Sequence, residues 1–176
     1  MTIELRTVVV VAITLMLHFL IAELNHYLSP LHVYLYAGGL LITFPCLRFR
    51  YSQGFGFVCL TALFHDSATP TPFGTSLILF LTAHAVIYAL RSRFPREGLP
   101  AAIGVALVLN ALLFLALSLM QVPDAPLGPL YWRRILVDLA LSQTAVLLMA
   151  GWFFSLQNEA LRFFGIHLDQ EQRQAR

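Results

Sequence analysis

Charge is what this sequence lacks. Only 11% of its 176 residues are Asp, Glu, Lys or Arg, while 59% are hydrophobic and the mean hydropathy is +0.76. A soluble domain carries roughly a quarter charged residues. The polar surface needed to face water is therefore missing, and lipid has to cover the chain. Lysine is absent altogether, since all eleven basic residues are arginine. The arginines stand in short clusters between apolar runs, which excludes the contiguous basic patch of a nucleic-acid binder despite the net charge of +2. Cysteine is scarce as well. Cys46 and Cys59 lie inside apolar runs without metal-site spacing and read as small hydrophobes rather than a disulfide or metal pair. There is no His-Glu-x-x-His, Gly-x-Ser-x-Gly or Walker sequence, and nothing sets a nucleophile beside a base. The expectation is a protein that is not an enzyme and holds no cofactor.

What the chain does have is apolar runs of helical length. They predict an all-α polytopic membrane protein with six transmembrane helices, over about 7–24, 31–47, 52–66, 72–90, 100–120 and 132–156. Residues 1–165 form one membrane domain on this reading, and 166–176 a polar cytoplasmic tail. The first run is longer than a signal core, and Asn25-His26-Tyr27-Leu28-Ser29-Pro30 lacks a small-x-small cleavage site, so the first run is expected to stay as a helix. Gly38 and Gly39 allow a close helix contact or a bend in the second run, and Pro45 weakens its last turn. Thr71 before Pro72 fits an N-cap followed by proline at the first helical position. The last helix can continue to Phe164 with Gly165 just past its end, so its final turns emerge from the bilayer.

Arginine placement tests this topology. With the N-terminus inside, Arg6, Arg48, Arg50, Arg91, Arg93, Arg96, Arg162, Arg173 and Arg176 fall on the inner side, and only Arg133 and Arg134 on the outer. The asymmetry follows the positive-inside rule with both termini cytoplasmic. It also requires the third run to cross. From Ser52 to His65 that run is about 20 Å long as a helix, against a hydrocarbon core of roughly 30 Å. Its face of Gly54, Val58, Thr61, Ala62 and His65 is small and partly polar, and is expected to pack against protein.

The ionisable residues within apolar runs are the candidate sites. Asp66 is expected to close an Asx-type turn by accepting N–H bonds from the crossing that follows, the alternative being a partner- or solute-binding role. His65 beside it is expected to be interfacial and solvated. Asp138 stands four residues after Arg134, an i,i+4 ion pair, and shares a face with Ser142 that would meet another helix. His18, Ala22, Asn25 and His26 form one stripe of the first helix. His18 and His84 could in principle ligate a haem, but hydrogen-bonded neutral histidine inside the bundle is the commoner arrangement.

The run Gly54-Phe-Gly-Phe-Val through Asp66, with Gly74 opening the next helix and Pro45, Arg48 and Arg50 just upstream, resembles the MreD family of rod shape-determining membrane proteins. The chain departs from that pattern at Ala62, where a glycine is common, and in its double Thr-Pro before Gly74. The resemblance implies a non-catalytic component of the cell-elongation complex in the bacterial inner membrane. It implies association with a bitopic MreC-like partner, and through it with the MreB filament and the glycosyltransferase/transpeptidase pair that makes peptidoglycan. Gly54, Gly56, Asp66, Gly74 and Asp138 are then candidate structural and interaction residues. More distantly the chain resembles the six-span substrate-capture subunits of vitamin importers. That alternative implies a pocket lined by Asn25, His26, Asp66 and Thr69.

Overall fold

In an apolar medium a backbone without water must bond to itself, and for a single segment only a helix does so. The computed structural model, which describes residues 5–69, 72–93, 98–120 and 128–166, is accordingly helical, with no strand among the described residues. Its helices are α1 (Leu5–Leu28), α2 (Gly38–Arg48), α3 (Tyr51–Ala68), α4 (Thr75–Leu90), α5 (Leu99–Met120) and α6 (Pro129–Phe163). The α1 helix with the 3-10 turn that follows it, α5 and α6 are each long and apolar enough to cross a membrane, whereas α2 and α4 are shorter apolar helices.

Contacts set the directions. Asp66 near the end of α3 meets the start of α4, and His84 late in α4 meets Tyr51 at the start of α3. Gln157 near the end of α6 reaches Thr14 in the first half of α1, and Tyr131 at the start of α6 reaches the carbonyl of Ser118 at the end of α5. These pairs run antiparallel. The α2 helix packs chiefly on α5, and α3 chiefly on α4. Contacts with all the other helices give α2 the most enclosed position, with every residue from Gly38 to Cys46 buried. Phe44, Phe49, Phe57, Phe153 and Phe154 form the aromatic core at the end away from Asp66.

Two helices start later than expected. The second was expected from residue 31, but a 3-10 turn over Ser29–Leu31 and a left-handed His32 (φ 54°) break the path, and residues 33–37 are not helical. The reason is tertiary: polar side chains from α1, α5 and α6 bond this backbone in place of a helical ladder. The fourth helix was expected from Pro72 with Thr71 as cap. Thr71 lies outside the described residues, and the helix begins at Thr75, after Gly74 at φ +96°. The α6 helix starts at Pro129 and runs to Phe163, farther at both ends than its apolar core of 132–156. It closes with a Schellman motif, in which Gly165 (φ +73°) donates to the Arg162 carbonyl at 2.9 Å and Ile166 to the Leu161 carbonyl at 2.9 Å. The polar tail lies outside the described residues.

Candidate functional site

The polar side chains of the apolar helices converge on two places, and at both they hold backbone. The first is the non-helical segment 33–37. Asp138 Oδ1 accepts the Tyr34 N–H at 3.1 Å and Ser142 Oγ accepts the Tyr36 N–H at 2.9 Å. Four residues of α6 rise about 6 Å, and two residues of an extended chain rise roughly 6.6 Å. One face of α6 therefore matches every second amide of the segment. From the opposite side Asn25 of α1 takes the intervening residue with both ends of its amide, accepting from Leu35 N–H at 2.7 Å and donating to the Leu35 carbonyl at 2.8 Å. Asn110 of α5 completes the set. It donates to the Tyr36 carbonyl at 3.0 Å and accepts from Gly39 N–H, in the first turn of α2, at 3.1 Å.

The face shared by Asp138 and Ser142, expected to meet a helix, thus meets irregular backbone. Asp138 also lies 3.8 Å from the largely exposed Arg134 guanidinium. At that distance and exposure the ion pair adds little, so the bond to Tyr34 is the stronger tie. Gly39 is where α2 and α5 touch most closely, because a Cβ there would overlap the backbone of Asn110.

The second place is the joint between α3 and α4. Asp66 is buried, and its carboxylate accepts from Gly74 N–H at 2.9 Å, Ser76 N–H at 2.9 Å and Leu77 N–H at 3.3 Å. These are amides a helix start leaves without partners, and an anion there also complements the helix dipole. The donors come from the helix itself rather than from the crossing at 67–72. Neither α2 nor α4 has a local side-chain cap; each is capped from another helix, by Asn110 and Asp66 respectively. His65 is not solvated as expected. It is buried, with Nδ1 3.0 Å from Ser76 Oγ.

The candidate glycines separate by role. A Cβ on Gly54 would lie 2.6 Å from His84 Cε1, so Gly54 sets the close approach of α3 and α4. Gly74 has open space but needs its left-handed backbone, and Gly56 has nothing within 4 Å. His84 is held between the Cys46 thiol at 3.3 Å and the Tyr51 carbonyl at 3.2 Å, and its ring stacks on Tyr51. Both ring nitrogens are engaged, so haem ligation would have to break that arrangement. Beyond it, Arg91 covers the Tyr88 ring at 3.7 Å and donates to the Phe49 carbonyl at 3.0 Å, tying the end of α4 to the link between α2 and α3.

A cavity of about 120 Å³ lies between α1, residues 34–38 and α3. Asn25 and Thr69 line it, as the alternative reading expects, but Asp66 does not, and His26 is exposed elsewhere on α1. Sequence reasoning did not single out Tyr36, whose β-favouring neighbours Val33 and Tyr34 were the available signal. The chain matches no family model, no curated protein and no solved structure.

Proposed function

We propose that this chain is a six-span, non-catalytic scaffold of the bacterial cell-elongation complex, lying in the inner membrane with both termini in the cytoplasm and binding an MreC-like bitopic partner. One observation carries the reading. In the stretch that bears the family resemblance, Gly54 lies against His84 at one end of α3 and Asp66 at the other end is latched onto the first turn of α4. Its polar atoms hold the fold, which leaves the outer faces of the helices to hold partners. Eleven residues of α2 reach only about 16 Å, and the non-helical residues 33–37 that precede it lengthen that run toward the hydrocarbon thickness of about 30 Å. The arginine asymmetry fits the same topology.

Depletion in a rod-shaped host should round the cells, and the protein should co-purify with an MreC-like chain from mild detergent. Normal rods after clean depletion would count decisively against the scaffold. Reporter fusions after Arg93 and near Arg134 should report opposite sides of the membrane. The importer-subunit alternative draws on the cavity. It stands second because about 120 Å³ is small beside the roughly 300–1,000 Å³ of sites for drug-sized ligands.

A further inference from the structure

Arginines gather at the end of the bundle away from Asp66. Arg50 immediately precedes α3, and Arg91 and Arg93 begin and end the 3-10 turn that follows α4. The two links are adjacent, because the Arg91 guanidinium donates to the carbonyl of Phe49, the neighbour of Arg50, at 3.0 Å. Arg134 and Arg162 each lie beside a carboxylate, whereas none of these three has an ion pair among the described residues. Arg50 and Arg93 are exposed and Arg91 partly so. The first turn of α3 holds no acidic residue and no side chain caps it, so the positive end of its dipole adds to the field of the arginines instead of opposing it. Such a cluster is completed by an anion from outside the chain. We propose that Arg50, Arg91 and Arg93 form a binding site for the phosphate of an anionic phospholipid in the leaflet they face.

What lies beside the arginines favours a lipid over an acidic protein segment. Arg91 rests on the Tyr88 ring at 3.7 Å, and the Tyr88 ring meets that of Tyr51 at 4.9 Å. Tyr51 is in turn 6.3 Å from Phe55, one turn further along α3. Tyr51 and Phe55 are 44% and 42% exposed. The surface therefore runs without interruption from a guanidinium, over two tyrosines, to an exposed apolar ring. A phospholipid presents the same sequence of a charged headgroup followed by a hydrocarbon chain, and tyrosine suits the boundary between them. An acidic peptide would satisfy the arginines and leave the aromatic surface unmatched. Arg91 is also held in advance by its stack and its bond to Phe49, so little side-chain freedom remains to be lost on binding. Its planar fork matches a pair of phosphate oxygens, which an ammonium group would not.

The test uses full-length protein in nanodiscs that mix phosphatidylglycerol, the probe, with phosphatidylcholine. Native mass spectrometry counts the lipid that stays bound when the protein is released. Preferential retention of phosphatidylglycerol by the wild type is expected. Arg50→Gln combined with Arg93→Gln alters only exposed side chains and should lower that preference about fivefold per arginine. The same double variant should melt like wild type in discs of phosphatidylcholine alone. Arg91→Gln should lower the preference as well, and it should also lower the melting temperature because the tie to Phe49 is lost. Arg162→Gln removes an equal charge from a residue paired with Glu159 at the end of α6, and should leave retention unchanged. Equal retention of the two lipids by the wild type, an undiminished preference in the double variant, or an equal loss in Arg162→Gln overturns the assignment; the first of these would leave the patch to an acidic segment of a protein partner. The site rests on the membrane reading alone. Both faces of a disc carry the same lipids, so the outcome does not depend on topology, and partner capture, cell shape and reporter fusions test the scaffold separately.

Discussion

Replacing Asn110 by leucine removes the polar clamp. Leucine shares the branched four-atom skeleton of the asparagine side chain and favours a helix, but its methyl groups are bulkier, so some repacking of α5 on α2 adds to the cost. What disappears is the bond to the Tyr36 carbonyl at 3.0 Å and the bond from Gly39 N–H at 3.1 Å. Two buried backbone groups then lack partners, at about 1–3 kcal/mol each, for a loss of about 2–6 kcal/mol. Side-chain hydrogen bonds between membrane helices usually give less, about 0.6 kcal/mol, because polar groups find substitutes in the unfolded reference state. At this site the substitute works against the fold. If residues 31–37 continue the helix, they satisfy the same backbone groups without Asn110, so the variant favours that competing conformation. The loss should therefore sit well above the usual figure. Reversible unfolding in mixed micelles measures it, and amide hydrogen exchange at Gly39 localises it. A variant within about 0.5 kcal/mol of wild type, with unchanged exchange at Gly39, would refute the clamp.

Other expectations follow from the same geometry. Asp66→Ala removes the acceptor of three N–H groups and should cost at least ~3 kcal/mol, with Asp66→Asn intermediate because one oxygen remains; chemical unfolding ranks the three proteins, and an unaltered Asp66→Ala would remove the latch. Gly54→Ala should destabilise by about 1–3 kcal/mol through the His84 contact, whereas Gly56→Ala should be neutral or stabilising by up to ~1 kcal/mol, as for an unencumbered helical glycine. Equal melting temperatures for these two would contradict the close approach of α3 and α4. Ser142→Ala should leave Tyr36 N–H without an acceptor and raise its exchange rate while leaving that of Gly74 unchanged.

Much of the helical pattern was legible because apolar runs and prolines report directly on local structure. The buried face of α3 was readable from its small residues, and the end of α6 from Gly165. The break before Gly38 was not readable in the same way. Val33-Tyr34-Leu35-Tyr36 is apolar enough to continue a helix, and the local signals against it, the β-favouring Val33 and Tyr34 and the bend that Gly38 and Gly39 allow, are weak. The competing information sits on α5 and α6, at Asn110, Asp138 and Ser142, polar residues whose partner a single helix cannot reveal. Asp66 was recognisable as a backbone acceptor from its type and surroundings. Its donors lie eight to eleven residues on, past two prolines, which moved the helix start from Pro72 to Thr75. His65 was misplaced for a related reason, since Ser76 becomes its neighbour only once that joint closes.

The clamp on residues 34–36 also bears on how the chain is made. Synthesis delivers this segment to the bilayer long before its partners exist. Asp138 and Ser142 follow the N–H groups that donate to them by 104 and 106 residues, and Asn110 follows Tyr36 by 74. Until then a helix is how that backbone would satisfy itself in lipid. The segment before α2 should therefore be helical in the nascent chain and unwind those turns when α5 and α6 arrive. A chain truncated before α6 should retain the longer helix, and the mature bundle is a conformation that only the complete polypeptide can reach.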